Sequence, residues 1–149
     1  MIAKLKRLLA DFNTAVPAQR QHTIELAAAC LLVELSRADM DSSADERIKM
    51  SAALGEMFTL SQDEIAELIA QAEGNADLAT STYEFTTVIK DHFDDTQRVA
   101  LITALWRVAY ADGVLDRYEE HFIRKVSDLL YVSHSDFIRA KHSVQSAGH

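Results

Sequence analysis

One proline and four glycines interrupt a chain of 149 residues, and apolar side chains between them recur at helical spacing. With so few breakers, long helices joined by short turns are expected. No segment combines period-two alternation with a run of β-branched residues, so strands are not expected. The clearest stripe is Ile24, Ala28, Leu31, Leu32 and Leu35, whose i, i+4, i+7, i+8, i+11 spacing fits one helix face. The full pattern predicts helices over 2–12, 22–38, 44–57, 62–72, 77–92, 96–111 and 117–130, with an eighth from about 134. Residues 13–19, with Pro17, read as a connector, and Ser143–His149 read as a frayed end. The expected fold is an all-α, single-domain helical bundle of seven or eight helices over 1–143, with a flexible tail over 144–149.

Apolar residues make up 48% of the chain and charged ones 26%, enough for a packed core without a metal or disulfide staple. Net charge is −8, which repels phosphate backbones, so nucleic acid is not an expected partner. The one basic cluster, Lys4, Lys6 and Arg7, reads as a solvated helix face. The single cysteine, Cys30, lies in an Ala/Leu-rich run and reads as a small buried hydrophobe. No stretch approaches the ~18 apolar residues of a membrane span, and no secretory leader is evident, so a cytoplasmic location is expected.

The second half echoes the first. Leu35-Ser36-Arg37-Ala38-Asp39 aligns with Val108-Ala109-Tyr110-Ala111-Asp112 at an offset of 73 residues, which also sets Ser43 on Asp116 and Glu46 on Glu119. At an offset of 72, Phe58-Thr59-Leu60-Ser61 aligns with Leu130-Tyr131-Val132-Ser133. Each unit is an apolar helix, an acidic turn, a charged helix, a short turn and another helix. Two such units are expected to pack about a pseudo-twofold axis, with both apolar helices central.

Many acidic positions have a capping explanation. Ser43-x-x-Glu46, Asp116-x-x-Glu119, Ser61-x-x-Glu64 and Ser133-x-x-Asp136 each place an N-cap acceptor three residues before a carboxylate. Asp39 and Asp112 are different, because both fall where a long helix ends, at the negative pole of its dipole. Three kinds of compensation are open: amides of the turn in an Asx-turn; an arginine, with Arg47 and Arg117 close in sequence; or a divalent cation shared with Asp41 and Glu46, or with Asp116 and Glu119. All-oxygen donors suit Ca²⁺ or Mg²⁺. The spacing is not that of an EF-hand, and Gly113 after Asp112 is matched by Met40 after Asp39.

No histidine spacing suits zinc, and no Cys/His pair, nucleophile elbow or phosphate-cradling glycine loop is present, so no catalytic residue is assigned. Trp106 and Phe122 read as core, His121 and His134 as solvated, and Tyr83, Tyr110 and Tyr118 as half-buried.

The run Ala111-Asp112-Gly113-Val114-Leu115-Asp116-x-x-Glu119, followed by Leu129-Leu130-Tyr131-Val132-Ser133-His134-Ser135-Asp136-Phe137, resembles the TerB-like tellurite-resistance family. It is also similar to the TerB-type region of a membrane-anchored J-domain co-chaperone. Leu105-Trp106-Arg107-Val108-Ala109 and Leu32-Val33-Glu34-Leu35-Ser36-Arg37-Ala38-Asp39 fit the same pattern, so the likeness spans about residues 22–142. The resemblance implies an all-α bundle of two related units, with a divalent-metal site at Asp39, Glu46, Asp112, Asp116 and Glu119. Met40 departs from the glycine the family often has there. No J-domain accompanies the match, and tellurite resistance is a phenotype that names no reaction. The expected function is therefore a stress-associated binding or scaffold module. Its partner is a second protein or another copy of the chain, and an acidic turn holds Ca²⁺ or Mg²⁺. Two rivals are a metal-dependent hydrolase using the same carboxylates and a structural dimerising bundle.

Overall fold

The computed structural model describes residues 16–37, 44–74, 78–111, 113 and 115–147. They form seven helices: α1 (Pro17–Arg37), α2 (Ala44–Met57), α3 (Gln62–Glu73), α4 (Leu78–His92), α5 (Asp95–Ala109), α6 (Arg117–Leu129) and α7 (His134–Ala147). No strand occurs among the described residues. The helix expected over 2–12 lies outside them, as do Asp39, Asp41, Ser43 and Asp112.

Two boundaries differ from the sequence expectation. Pro17 is the first residue of α1 rather than part of a connector. Proline suits that position, since its φ is already helical and the N–H it lacks would have no partner in the helix. At the other end, α7 runs on to Ala147 with Val144 buried, because the apolar spacing Phe137, Ala140, Val144 keeps one face on the core through the residues expected to fray.

Helix α1 is the centre of the bundle. It packs against α2, α3, α4, α5 and α6. Every residue from Thr23 to Val33 is buried, not only the stripe read from sequence. A helix apolar on all sides is sheathed on all sides, and the small residues Ala27, Ala28, Ala29 and Cys30 let its neighbours approach closely. Helix α5 is the second core element and packs on α1, α2, α6 and α7. It buries Leu101, Ile102, Leu105, Trp106 and Val108 completely. Each such large side chain contributes about 1.5–3 kcal/mol by leaving water.

Cations and turn geometry finish the outer helices. Arg98 donates from Nε to the Phe93 carbonyl at 3.1 Å and from its terminal nitrogens to the carbonyls of Lys90 and Leu130. One guanidinium thus serves the C-terminal ends of α4 and α6, where carbonyls lack helical donors. Helix α6 closes in a Schellman motif: Val132 N donates to Ser127 O at 3.0 Å and Tyr131 N to Asp128 O at 3.1 Å. Tyr131 takes the left-handed position, φ 58°, that usually falls to glycine.

Candidate functional site: the two acidic turns

The first acidic turn connects α1 to α2, and the second connects α5 to α6. At the first, Ser36 on the last turn of α1 and Glu46 on the first turn of α2 are both buried, and Ser36 Oγ donates to Glu46 Oε2 at 2.8 Å. This bond ties the two helix ends together across the turn. Glu46 was read from sequence as a capping partner of Ser43. Ser36 was not singled out, although a serine inside an apolar stripe signals a buried polar group that needs a partner.

At the second turn, Tyr110 ends α5, with its N–H on the Trp106 carbonyl at 3.0 Å. The chain then tightens, with Ala111 N donating to Val108 O and Gly113 N to Tyr110 O, at 3.1 and 3.0 Å. Gly113 has φ 84°, a conformation that costs any side-chain-bearing residue, which is why glycine follows the aspartate here. Helix α6 opens with the expected capping box. Asp116 Oδ1 accepts from Tyr118 N at 2.7 Å, and Asp116 N donates to Glu119 Oε1 at 3.2 Å. Glu119 is only 2% exposed, as is Glu46 at the matching place in α2.

The turn over the α5 end is backed by aromatic packing. Trp106 is fully buried, stacks on half-buried Tyr110 with centroids 6.0 Å apart, and meets Phe137 at 5.3 Å. Tyr110 Oη accepts from Gln145 Nε2 of α7 at 3.0 Å. Lys141 lies over the Trp106 ring at 5.3 Å and pairs with Glu120 at 3.5 Å. Phe122 is half-buried against the core, and His121 and His134 are exposed, as expected. Tyr83 and Tyr118 are not half-buried. They are 66% and 71% exposed, because their helices turn Phe85 and Ile123 inward instead.

Of the arginines proposed to neutralise the turns, Arg47 forms an ion pair with Glu73 at the end of α3, and Arg117 is exposed. Arg37 donates to the Glu73 carbonyl, so the end of α1 and α2 both lean on the α3 terminus. The structure brings Glu46 to Ser36, and Asp116 to Glu119. Among the described residues no three His, Cys, Asp or Glu side chains converge as metal ligands, and Asp39, Asp41 and Asp112 lie outside those residues.

The other caps divide. Ser61 and Glu64 form the reciprocal box, and the two Ser61 hydrogen bonds hold the Glu64 carboxyl below its usual range. Ser133 caps α7 through Asp136 N at 3.1 Å, but the Asp136 carboxylate turns to Arg139. A further box, Asp94 with Gln97, opens α5. The D-x-x-Q spacing announces it in the sequence, but the helix was expected to start at residue 96, one residue later than it does.

Thiol chemistry has no place here. Cys30 is fully buried, and loss of solvent pushes its thiol up to about 12, so almost none of the reactive thiolate exists at neutral pH. Nor is any helix among the described residues long and apolar enough to cross a membrane.

No curated protein and no solved structure matches the chain. A family model described as tellurite resistance protein TerB matches residues 25–142, from the buried heart of α1 through both acidic turns into α7, and the chain therefore belongs to the TerB family.

Proposed function

We propose that this chain is a tellurite-resistance-associated binding module that docks a protein partner and holds Ca²⁺ or Mg²⁺ at an acidic inter-helix turn. One observation carries the reading. Two carboxylates, Glu46 and Glu119, are buried at the same position of the two helices that follow the acidic turns. Burying a carboxylate is costly, and it is retained where positive or hydrogen-bonding groups answer it. Carboxylates are hard ligands suited to these cations, and the set around the second turn, Asp112, Asp116 and Glu119, contains no sulfur or imidazole. Asp116 and Glu119 would hold the ion from the start of α6, with Asp112, four residues earlier in the sequence, as a third ligand. The ion would supply charge neutralisation and rigidity to a surface turn, the chemistry of a docking site.

The test is thermal melting in EDTA and in millimolar Ca²⁺ or Mg²⁺. A cation at 100 times its Kd adds about 2.7 kcal/mol of stability, and Asp112→Asn removes most of that gain. An unchanged melting curve at millimolar cation would end the reading.

A further inference from the structure

Helix α2 carries an outward face that its own fold does not explain. Ile48, Ala52, Gly55 and Glu56 are all exposed and fall on one side of the helix at i, i+4, i+7 and i+8. Ile48 is 64% exposed, a large apolar knob in water. Gly55 sits in the helix interior, where glycine lowers stability relative to alanine. Its own surroundings do not demand it, since a Cβ there meets only Ile65 Cδ1, at an ordinary 3.5 Å. The missing side chain leaves a gap on the outside of the helix, seven residues from the knob. Beside this face, on the Glu56 flank, a groove of about 370 Å³ between α2 and α5 is floored by Ala53, Met57, Phe93 and Ala104. Arg107 reaches across its rim to Glu56 at 2.8 Å.

We infer that this face of α2 is a self-association surface, on which a second copy of the chain docks its own α2 antiparallel, centred on Ala52. Knob and gap are self-complementary in that register. Ile48 of each copy comes within one residue, about 1.5 Å along the axis, of Gly55 of the other, and the absent side chain lets the two backbones approach. The charges agree. Lys49 and Glu56 lie on the same flank of the helix, and a twofold axis through Ala52 brings each Lys49 within one residue, about 1.5 Å along the axis, of the other copy's Glu56. The inference does not depend on cation binding at the turns.

Light scattering on the size-separated full chain at high micromolar concentration tests it. The expected mass is twice the 16.6 kDa of one chain. Ile48→Asp and Gly55→Leu, both at exposed positions, are expected to halve that mass while helical content by circular dichroism stays unchanged. Lys49→Glu is expected to dissociate the pair, and Lys49→Glu with Glu56→Lys to restore it. A monomeric native chain overturns the proposal. So does an Ile48→Asp variant that remains dimeric, or a double reversal that fails to restore association.

Discussion

The two acidic turns share a pattern of residues but are braced differently. In the first, the serine ending α1 reaches across to the buried glutamate of α2. In the second, the place of Ser36 is taken by Ala109, and the glutamate is reached instead by the backbone N–H of the N-cap residue, while Gly113 tightens the chain against the Tyr110 carbonyl. The packing behind the turns differs too. Trp106, stacked on Tyr110, backs the second, whereas the matching residue of α1 is Val33. A repeated sequence motif therefore does not imply a repeated set of contacts. One turn is tied by side chain to side chain, and the other by backbone, glycine and an aromatic wall.

The largest expected effect breaks the comparison at that wall. Trp106→Ala should cost about 3–5 kcal/mol, since it empties a fully buried indole site, whereas the smaller Val33→Ala should cost well under that. Equilibrium urea unfolding of the two variants checks it, and equal costs would mean that the two halves are backed alike. Trp106 Nε1 is buried without a hydrogen-bond partner among the described residues, so part of the indole's gain is already offset by its own unmet donor.

Next in size is the clamp. Ser36→Ala leaves the buried Glu46 carboxylate short of a donor and should cost about 1–3 kcal/mol. Asp116→Ala removes a half-exposed N-cap and should cost about 1 kcal/mol. Denaturant midpoints with unchanged slopes would establish both as stability effects. If Ser36→Ala proves the milder of the two, the first turn is not held by that bond and the contrast between the turns fails.

The bundle was legible from the sequence because helical periodicity and scarce breakers are local signals, and they located both core helices. What they did not reveal is which helix is surrounded on every side. The stripe Ile24, Ala28, Leu31, Leu32 and Leu35 describes one face of α1, while Leu26, Ala29 and Val33 are buried on others against partners distant in the chain. Pro17 was misplaced for a related reason, since a proline that begins a helix and one that interrupts a loop look alike until the following turn is known. At the site, the Asp116–Glu119 box was readable as a fixed spacing. The Ser36–Glu46 bond was not, because it joins residues ten apart across a turn whose path no spacing rule gives. Self-complementarity on α2 is harder still to read, as it depends on exposure rather than on pattern.

The smallest expected effect sharpens the contrast at the helix ends. Glu34 lies near the C-terminal end of α1, where a carboxylate opposes the helix dipole, whereas the matching Arg107 of α5 complements it. Burial raises the Glu34 carboxyl above its usual range, and Arg37 and Lys125 pull it back only in part. A folded-state value above the unfolded one means that the folded chain holds this proton more tightly. The resulting stability is complete below the unfolded value, about 4.3, and is lost as pH rises through the folded one. Ionised Glu34 is therefore a net cost at pH 7, and Glu34→Gln, which cannot ionise, should melt slightly higher than the native chain there. Solvent screening at this half-exposed position keeps the gain below about 1 kcal/mol. The gap should close as pH approaches 4, where the native carboxyl is protonated in both states. Melting curves of the two proteins across pH 4–7 decide it: a constant offset would assign the difference to packing or hydrogen bonding, and the end of α1 would then carry no electrostatic penalty to set against the end of α5.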